Sequence, residues 1–343
     1  MRILIIHTAF IGDIVLSTPL VRKLKDRYPD SYITYVTTPA GASILKNNPC
    51  INEIIEYDKR GAHKGLRGIY ELGKRLRYEN FNLVITPHRY LRSSVLSWLS
   101  RSPVRKGYDV AAGSFLFTEK IHYDKSKHEV EKLLSFIESN GETKGKAEKE
   151  RYEIELFPDK NSWEKVENIW KSNGLEDKKV VVIAPGSKWF TKQWPVEYFN
   201  QVIDELSKNE NIKIVAVGGK DEMSIPLHKE KIVDLRGVTS LLDLAAVLSK
   251  GDIVITNDSS PIHIASAFEK TRIIALFGPT VKEFGFFPWS KNSEVLEVKN
   301  LSCKPCGIHG GKKCPQNHFR CMKEITPDKV IEAVYRYLRE NHG

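Results

Sequence analysis

The sequence lacks any run of about 18 uncharged apolar residues, the length that a helix needs to cross a bilayer. We also expect no signal peptide, because the apolar start MRILIIHTAFIGD reads as a strand and a polar turn without a small-residue cleavage site. Both absences predict a soluble, cytoplasmic protein. Its 343 residues, 41% of them hydrophobic, suffice for two domains with separate cores.

Several binding fingerprints are missing as well. Neither G-x-G-x-x-G nor G-x4-G-K-[ST] occurs, which disfavours an NAD enzyme and a P-loop kinase. Zinc-finger helix patterns and aromatic RNA-binding motifs are also absent. A nucleic-acid-binding protein is therefore an alternative that rests on charge alone, and we expect no nucleic-acid partner.

Acidic residues are scarce in one part of the chain. The formal net charge is +10, from 53 basic and 43 acidic residues. The segment from Lys59 to Lys106 contains twelve lysines and arginines but only two acidic residues, Glu71 and Glu79. This bias predicts a basic surface for nucleic acid, anionic lipid or a phosphorylated sugar. The alternative is a pair of helices whose basic faces simply stay solvated.

Cysteine is also rare, but four of the five thiols crowd into CKPCGIHGGKKCPQNHFRC. In a reducing compartment such a group favours a structural zinc ion or cluster over disulfides. Six residues separate the last two cysteines, and His309 and His318 could replace a thiol, so reduced or paired thiols remain the alternative. The candidate ligands are Cys303, Cys306, Cys314 and Cys321.

Apolar strands alternate with helical patterns along both halves, which predicts an α/β fold with parallel sheets and crossover helices. The first series contains RILIIHT, YITYVTT, INEIIEY and FNLVITPH; the second contains KKVVVIAPGS, IKIVAVGG, IVDLRG, DIVITND and RIIALFGPT. The charged segment 142–160 separates them. Ligands of such sheets bind at the carboxyl ends of the strands, so we expect a cleft between two facing domains and chemistry in the strand-end loops.

Three of these loops contain candidate residues. In HTAFIGD, Asp13 lies at the start of a helix. It is either a capping residue of that helix or a general base. In APGSKWFTKQWP, Lys188 and Lys192 suit phosphates, while Trp194 fits a hydrophobic staple before a helix. In VGGKDE, two glycines precede Glu222. They indicate only weakly that a ligand approaches the backbone, because any sharp turn also uses glycine.

The stretch ITNDSSPIHIASA places a carboxylate where an anion would bind. Ser260 can cap the following helix, and Pro261 suits its first position. A diphosphate over the N–H groups of Ser259 and Ser260 would leave Asp258 to accept hydrogen bonds from sugar hydroxyls. His263 is either a core residue or a hydrogen-bond donor to the same phosphate. A glycine turn, FGPT, which contains Gly278, could close the site.

Taken together, FIGDIVLSTPL, APGSKWFTKQWP, GGKDE, TNDSSPIHIASA and LFGPT resemble the ADP-heptose:lipopolysaccharide heptosyltransferases of glycosyltransferase family 9. The resemblance implies a GT-B fold of two Rossmann-like domains. Residues 1–155 would bind the acceptor and residues 156–325 the nucleotide sugar. Residues 326–343 would form a helix that returns to the first domain.

The resemblance also implies an inverting transfer of heptose, most closely that of the second-heptose enzymes. Asp13 matches the catalytic base and Lys192 the lysine at the donor phosphates, and no catalytic cofactor is implied. Pro261 and Ser260 depart from the apolar residue and glycine of many members. The implied donor-binding residues are Ser187, Lys188, Lys192, Glu222, Asp258, Ser259, Ser260, His263 and Gly278.

The implied partners are ADP-heptose, an anionic lipopolysaccharide precursor (Kdo-lipid A or its heptosylated form) and the inner face of the inner membrane, where the protein would be peripheral. The basic stretch then supplies the acceptor contacts, for which Lys64, Arg67, Arg89 and Arg92 are the candidates. A nucleotide-sugar epimerase, or a GT-B transferase with another donor, is the alternative enzyme.

Overall fold

The computed structural model describes residues 1–138 and 151–340. The chain forms two compact units, Met1–Phe157 and Pro158–Gly343. The sequence analysis placed the domain boundary after residue 155, and much of the charged segment that suggested it, 142–160, lies outside the described residues.

A parallel sheet of six strands forms the centre of the first unit, in the order β3-β2-β1-β4-β5-β6. The strands β1 and β4 are neighbours, with Ile3 opposite Leu83. The chain therefore changes direction across the sheet between these two strands, and ligands of this fold bind beyond the carboxyl ends at such a switch point. The strands are β1 (Arg2–Ile6), β2 (Tyr32–Thr37), β3 (Glu53–Glu56), β4 (Leu83–Thr86), β5 (Val104–Tyr108) and β6 (Glu119–Ile121).

The helices of the first unit connect these strands. They are α1 (Ile11–Leu16), α2 (Thr18–Arg27), α3 (Pro39–Leu45), α4 (Gly65–Tyr78), α5 (Leu91–Leu99) and α6 (Glu129–Leu134). Their apolar faces cover the sheet: Leu72 and Leu76 of α4 and Leu96 of α5 are buried against Leu4 and Val84. Burying each such side chain contributes about 1.5–3 kcal/mol, so the sheet and its helices form one core.

The stretch that follows β1, residues 12–30, forms two helices. The apolar spacing over 12–30 predicts a single helix, but Ser17 separates α1 from α2. Pro19 lies in the first turn of α2 and has no N–H for the carbonyl of Val15. The hydroxyl of Thr18 donates to that carbonyl instead, at 3.0 Å. The proline therefore ends α1 and redirects the chain.

The second unit repeats this arrangement with the strand order β12-β11-β10-β7-β8-β9. Its switch point lies between β7 and β10, which pair in parallel. The predicted second doubly wound sheet is confirmed, and the sequence analysis missed β12. The strands are β7 (Lys179–Ala184), β8 (Ile212–Ala216), β9 (Val233–Asp234), β10 (Ile253–Asn257), β11 (Arg272–Phe277) and β12 (Ser293–Glu297).

The C-terminal helix belongs to the second unit. Val330, Ala333, Val334 and Tyr337 recur at helical spacing, and all four are buried in the core of that unit. This apolar stripe packs on α8 (Val196–Leu206), and the implied return of residues 326–343 to the first domain stays a prediction. The helices are α7 (Lys160–Ser172), α8 (Val196–Leu206), α9 (Leu241–Lys250), α10 (Ser260–Ala265), α11 (Arg320–Lys323) and α12 (Pro327–Glu340).

Within the described ranges, none of the helices combines the length and the apolar character needed to cross a bilayer.

Candidate functional site

Asp13 lies in the loop that leaves β1, at the switch point of the first sheet. It is the third residue of α1, and its Oδ2 accepts a hydrogen bond from the N–H of Phe10 at 3.2 Å. Asp13 therefore has the capping role that the sequence suggested. Burial raises the pKa of Tyr123 to about 12, with smaller contributions from Glu129 and Asp13. Asp13 is thus close enough to Tyr123 for their charges to interact.

Two histidines lie at the ends of β1 and β4, beside Asp13 in the fold. The Nδ1 of His88 is 2.8 Å from the hydroxyl of Ser93 and 3.2 Å from that of Thr8. His7 is buried, and its Nδ1 is 3.3 Å from the hydroxyl of Tyr35. The sequence analysis did not single out either histidine, because one residue at a strand end carries little signal.

Burial keeps both histidines neutral. Desolvation, and secondarily His88, lowers the pKa of His7 to about 3. Desolvation, followed by the charges of Lys59 and Arg89, lowers the pKa of His88 to about 4. Lys59 itself donates to the carbonyl of Thr8 at 2.8 Å. This edge of the sheet thus gathers cations around neutral imidazoles, which suits an anionic ligand.

A largely buried ion pair, Glu129–Lys132, adjoins this edge with the exposed Arg89 beside it, and the sequence pattern does not reveal it. Burial raises the pKa of Glu129, although Lys132 and Arg89 lie near it. Lys132 is only 2% exposed, and its Nζ is 3.4 Å from Glu129. The guanidinium of Arg89 lies 4.4 Å from the ring centre of Tyr123, and the buried hydroxyl of Tyr108 has no hydrogen-bond partner among residues 1–138 and 151–340. In the sequence, the Glu129–Lys132 pair is indicated only by the spacing of three residues, which places the two side chains on the same face of α6.

The four predicted acceptor residues occupy different environments. Arg89 lies beside the ion pair just described, and Arg92 donates to the hydroxyl of Tyr57 at 3.3 Å. Lys64 is the residue that precedes α4, and Arg67 pairs with Glu71 on the exposed face of that helix. Arg89 and Arg92 therefore lie next to the strand ends, while Lys64 and Arg67 are exposed at the start of α4.

The centre of the second site is an ion pair at the switch point of the second sheet. The Nζ of Lys192 lies 2.5 Å from Oδ2 of Asp258, and both side chains are largely buried. The hydroxyl of Thr280 donates to the same Oδ2 at 2.6 Å. The carboxylate thus orients the lysine, which differs from the expectation that Asp258 serves sugar hydroxyls. Two of the three ammonium hydrogens of Lys192 can still point elsewhere.

Asn257, which the sequence analysis passed over, ties two loops of this site together. Its Nδ2 donates to the carbonyl of Pro185 at 2.7 Å, and its Oδ1 accepts from the N–H of Trp194 at 3.0 Å. Trp194 forms the predicted staple, because its ring lies 4.9 Å from that of Phe199, five residues later. The loop that carries Lys192 is therefore fixed at both ends.

The short helix after Asp258 begins one residue earlier than expected. Ser259, not Ser260, is the N-cap residue of α10, and Pro261 is the second helical residue. Ser259 has the extended backbone of a cap, but its hydroxyl donates to the carbonyl of Gly186 at 3.4 Å. His263 is buried on the inner face of α10.

Glu222 lies over the glycine turns that follow β7 and β8. Its Oε2 accepts from the N–H of Gly219 at 2.9 Å. A Cβ built on Gly186 would lie 1.8 Å from Oε1 of Glu222, so only glycine leaves room for this carboxylate. Burial raises the pKa of Glu222, against smaller opposing effects of the N–H of Gly219 and of Arg236. The guanidinium of Arg236, fully buried, donates to the carbonyl of Glu222 at 3.0 Å.

The remaining predicted donor residues have more ordinary surroundings. The carbonyl of Ser187 accepts from Gln193 at 2.7 Å, and Lys188 lies exposed with its Nζ 5.6 Å from the ring centre of Trp189. A Cβ on Gly278 would lie 2.8 Å from the side chain of Met322. Core packing thus accounts for this glycine without a ligand.

The cysteine-rich segment, residues 303–321, contains free thiols in the structure. Burial, and secondarily the neighbouring cysteines of the segment, raises the pKa of Cys321 to about 11. The four sulfurs are therefore gathered in one region. However, within residues 1–138 and 151–340 no three His, Cys, Asp or Glu side chains are arranged to hold a metal ion. The structural metal stays a prediction from the sequence.

The cysteine-rich segment also packs against the loop of Lys192 and against the FGPT turn. The N–H of Gly311 donates to the hydroxyl of Thr191 at 2.7 Å, and that hydroxyl donates to the carbonyl of Gly311 at 3.1 Å. A Cβ on Gly310, whose φ is +78°, would lie 3.3 Å from Cγ of Lys192. The N–H of Cys306 donates to the carbonyl of Pro279 at 2.9 Å. The segment therefore braces Lys192 and the FGPT turn.

Acidification is expected to destabilise the first unit through its neutral histidines. The pKa of histidine in an unfolded chain is about 6.5. Between that pH and the pKa of folded His7, about 3, the unfolded chain binds more protons than the folded chain. Stability that is complete above about pH 6.5 should fall with decreasing pH by up to about 1.4 kcal/mol per pH unit for each histidine. Melting temperatures measured from neutral pH to about pH 5 test this. His7→Gln should show a shallower dependence, and an unchanged slope would contradict the assignment.

Comparison with known proteins identifies the family. The family model described as glycosyltransferase family 9 (heptosyltransferase) matches residues 69–315. A lipooligosaccharide heptosyltransferase 2 of Campylobacter jejuni is 27% identical over 351 aligned positions, which cover 100% of both chains.

Two solved structures share the fold of this chain. A glycosyl transferase family 9 protein from Veillonella parvula is 26% identical with a TM-score of 0.85, covering 99% of this chain and 97% of its own. The ADP-heptose lipopolysaccharide heptosyltransferase II of Escherichia coli is 20% identical with a TM-score of 0.80 and full coverage of both chains. The predicted GT-B fold, with two Rossmann-like sheets, is confirmed. With most of its length matched by the family model, the chain belongs to glycosyltransferase family 9 and is a glycosyltransferase.

Proposed function

We propose that this enzyme transfers heptose from ADP-heptose to the inner core of lipopolysaccharide, with inversion at the anomeric carbon. The second heptose is the transfer that we favour. The carrying observation is the Lys192–Asp258 pair at the switch point of the second sheet, where nucleotides bind in this fold. The names of the Campylobacter and Escherichia coli relatives support the donor and the acceptor class.

The second unit binds the donor in this proposal. Asp258 orients Lys192, whose remaining N–H groups hold the diphosphate as a point charge. Ser187, Lys188 and the N–H groups of Ser259 and Ser260 flank the same phosphates, with His263 behind them. Glu222, which lies over two glycine turns, is placed for ribose hydroxyls. The negative charge of Asp258 is neutralised by Lys192, so the loop does not repel the doubly charged diphosphate. The diphosphate can therefore accept hydrogen bonds from the N–H groups of the loop.

The first unit handles the acceptor. Asp13 takes the proton from the attacking hydroxyl as the new glycosidic bond forms and the bond to ADP breaks. Negative charge then builds on the leaving diphosphate, where Lys192 and backbone N–H groups stabilise it. A single displacement of this kind inverts the anomeric centre and forms no covalent glycosyl-enzyme. We assign no cofactor to catalysis, since lysine and backbone dipoles supply the necessary charge.

The acceptor in this proposal is an anionic lipopolysaccharide precursor, either Kdo-lipid A or its heptosylated form. Arg89 and Arg92 lie beside the strand ends of the first sheet and suit its acidic groups, with Lys64 and Arg67 further out. The protein would act at the cytoplasmic face of the inner membrane, where such a lipid is anchored.

Calorimetric binding followed by turnover tests the proposed function. We expect ADP and ADP-heptose to bind and UDP-sugars to bind far more weakly. ADP release should then depend on the acceptor and be faster with heptosylated than with heptose-free Kdo-lipid A. Selective binding of a UDP-sugar would remove the proposed donor. Consumption of ADP-heptose without any acceptor would favour an epimerase.

Asp13→Asn should remove the base and leave the fold and the donor site intact. The amide oxygen can still accept from the N–H of Phe10, so the cap is kept while the proton acceptor is lost. We expect turnover to fall by about 10²–10⁴-fold with ADP affinity unchanged. Asp159→Asn, at the carboxylate that caps α7, is the matched control and should keep full activity. Equal losses of turnover and of ADP binding would make Asp13 structural.

Thr191→Val should weaken the donor site by releasing Lys192 from its brace. Valine has the same shape but loses both hydrogen bonds to Gly311, so the Kd for ADP and the KM for the donor should rise by about tenfold. Thr191→Ser should keep the hydroxyl and near-normal values. Thr271→Val removes an equally buried hydroxyl, which donates to the carbonyl of Leu248 at 3.0 Å, and controls for stability. Unchanged ADP affinity in Thr191→Val would refute the brace.

A further inference from the structure

Several large apolar side chains are exposed on the first unit instead of being packed in its core. Leu66 is 84% exposed and Phe115 is 77% exposed. Three others are more than half exposed, and all five follow carboxyl ends of strands β3, β4 and β5. The apolar rim, as we name this set, consists of Leu66, Tyr90, Leu91, Val110 and Phe115.

Contacts between the loops join most of the apolar rim into one surface. The N–H of Ala112 donates to the carbonyl of Arg89 at 3.0 Å, which ties the loop of Val110 to that of Tyr90. A Cβ on Gly113 would lie 2.8 Å from Leu91. Tyr90 lies 4.7 Å from His88, measured between ring centres. The helix α4, which begins next to Leu66, packs along α5. The apolar rim therefore borders the same sheet edge as Asp13.

Cations accompany the apolar rim. Residues 59–70 contain Lys59, Arg60, Lys64 and Arg67 without an acidic residue, and residues 87–108 contain five more basic residues and no acidic one. The side chains of Arg60, Lys64 and Arg89 are exposed like those of the apolar rim. Aromatic and aliphatic groups interleaved with cations match the headgroup region of an anionic bilayer, which offers apolar chains below a negative surface.

We propose that the apolar rim inserts into the headgroup region of an anionic lipid bilayer while the neighbouring cations contact lipid phosphates. This inference deepens the proposed function and rests on it, because an acceptor anchored in the bilayer must reach the strand ends of the first sheet. Insertion of the apolar rim holds that edge against the surface. The charge of the basic stretch then brings the enzyme to the membrane, and the apolar contacts retain it.

Vesicle sedimentation of the purified full-length protein tests the docking surface. We expect binding to phosphatidylethanolamine vesicles that contain phosphatidylglycerol, and little binding to vesicles of phosphatidylcholine alone. Added salt should weaken the binding only in part, because the apolar contribution is not screened. Absence of binding to the anionic vesicles, or complete loss of it in moderate salt, would overturn the insertion.

The variant Leu66→Ser/Phe115→Ser isolates the apolar contribution. Both side chains are exposed, so folding should be unaffected, while affinity for anionic vesicles should fall by at least about tenfold. The matched control is Trp98→Ser/Val238→Ser, because Trp98 lies at the opposite end of α5 and Val238 in the second unit, both about half exposed. Unchanged vesicle affinity in the first variant, or an equal loss in the control, would overturn the assignment of this surface.

Turnover with two forms of the acceptor separates this inference from the proposed function. The variant Leu66→Ser/Phe115→Ser should keep wild-type turnover on the deacylated acceptor saccharide and lose turnover on acceptor embedded in vesicles. Loss on both forms would show that the apolar rim is not a membrane surface. If the wild-type protein transfers heptose to neither form yet binds anionic vesicles through Leu66 and Phe115, the proposed function fails and the docking surface stands.

Discussion

The parallel strand order of the two sheets is the constraint on which the rest of the structure depends. Helices cover both faces of such a sheet, so the central strands are dominated by apolar residues. Ile3 to Ile6 in β1 and Val180 to Ile183 in β7 are accordingly buried throughout. Polar side chains accumulate where these strands end. In both units the order reverses next to the first strand, and the candidate residues follow that reversal.

The two strand-end sites solve different electrostatic problems. In the second unit a carboxylate and a lysine are buried together, so that Asp258 fixes Lys192 instead of repelling an anion. In the first unit the cations of the edge lie around imidazoles that burial keeps uncharged. In the proposed function the first condition, a positioned positive charge, suits a diphosphate, and the second, uncharged neighbours, suits Asp13 as the proton acceptor. The burial of each group decides which condition is met.

Segments outside the sheets complete these sites. The cysteine-rich segment holds the loop of Lys192 through Thr191, and the carbonyl of Pro279 through Cys306. The cluster of Glu129, Lys132 and Arg89 supports Tyr123 beside Asp13. Neither support belongs to a strand end, yet each limits how far a functional side chain can move. Loops on a rigid scaffold gain their precision from such second contacts.

The sequence by itself determined the class of fold and the strand ends at which the candidate residues lie. Continuous apolar strands, helical spacing and glycine turns are local patterns, so β1, β2, β4, β7, β10 and β11 could be predicted, as could Asp13, Lys192 and Asp258 at their ends. The tertiary structure alone decided the rest. Pairing of Lys192 with Asp258, the break at Ser17, the packing of α12 and the burial that keeps His7 neutral depend on contacts between residues far apart in the chain. Local periodicity contains no information about such contacts, because it records which face a side chain occupies and not what lies opposite.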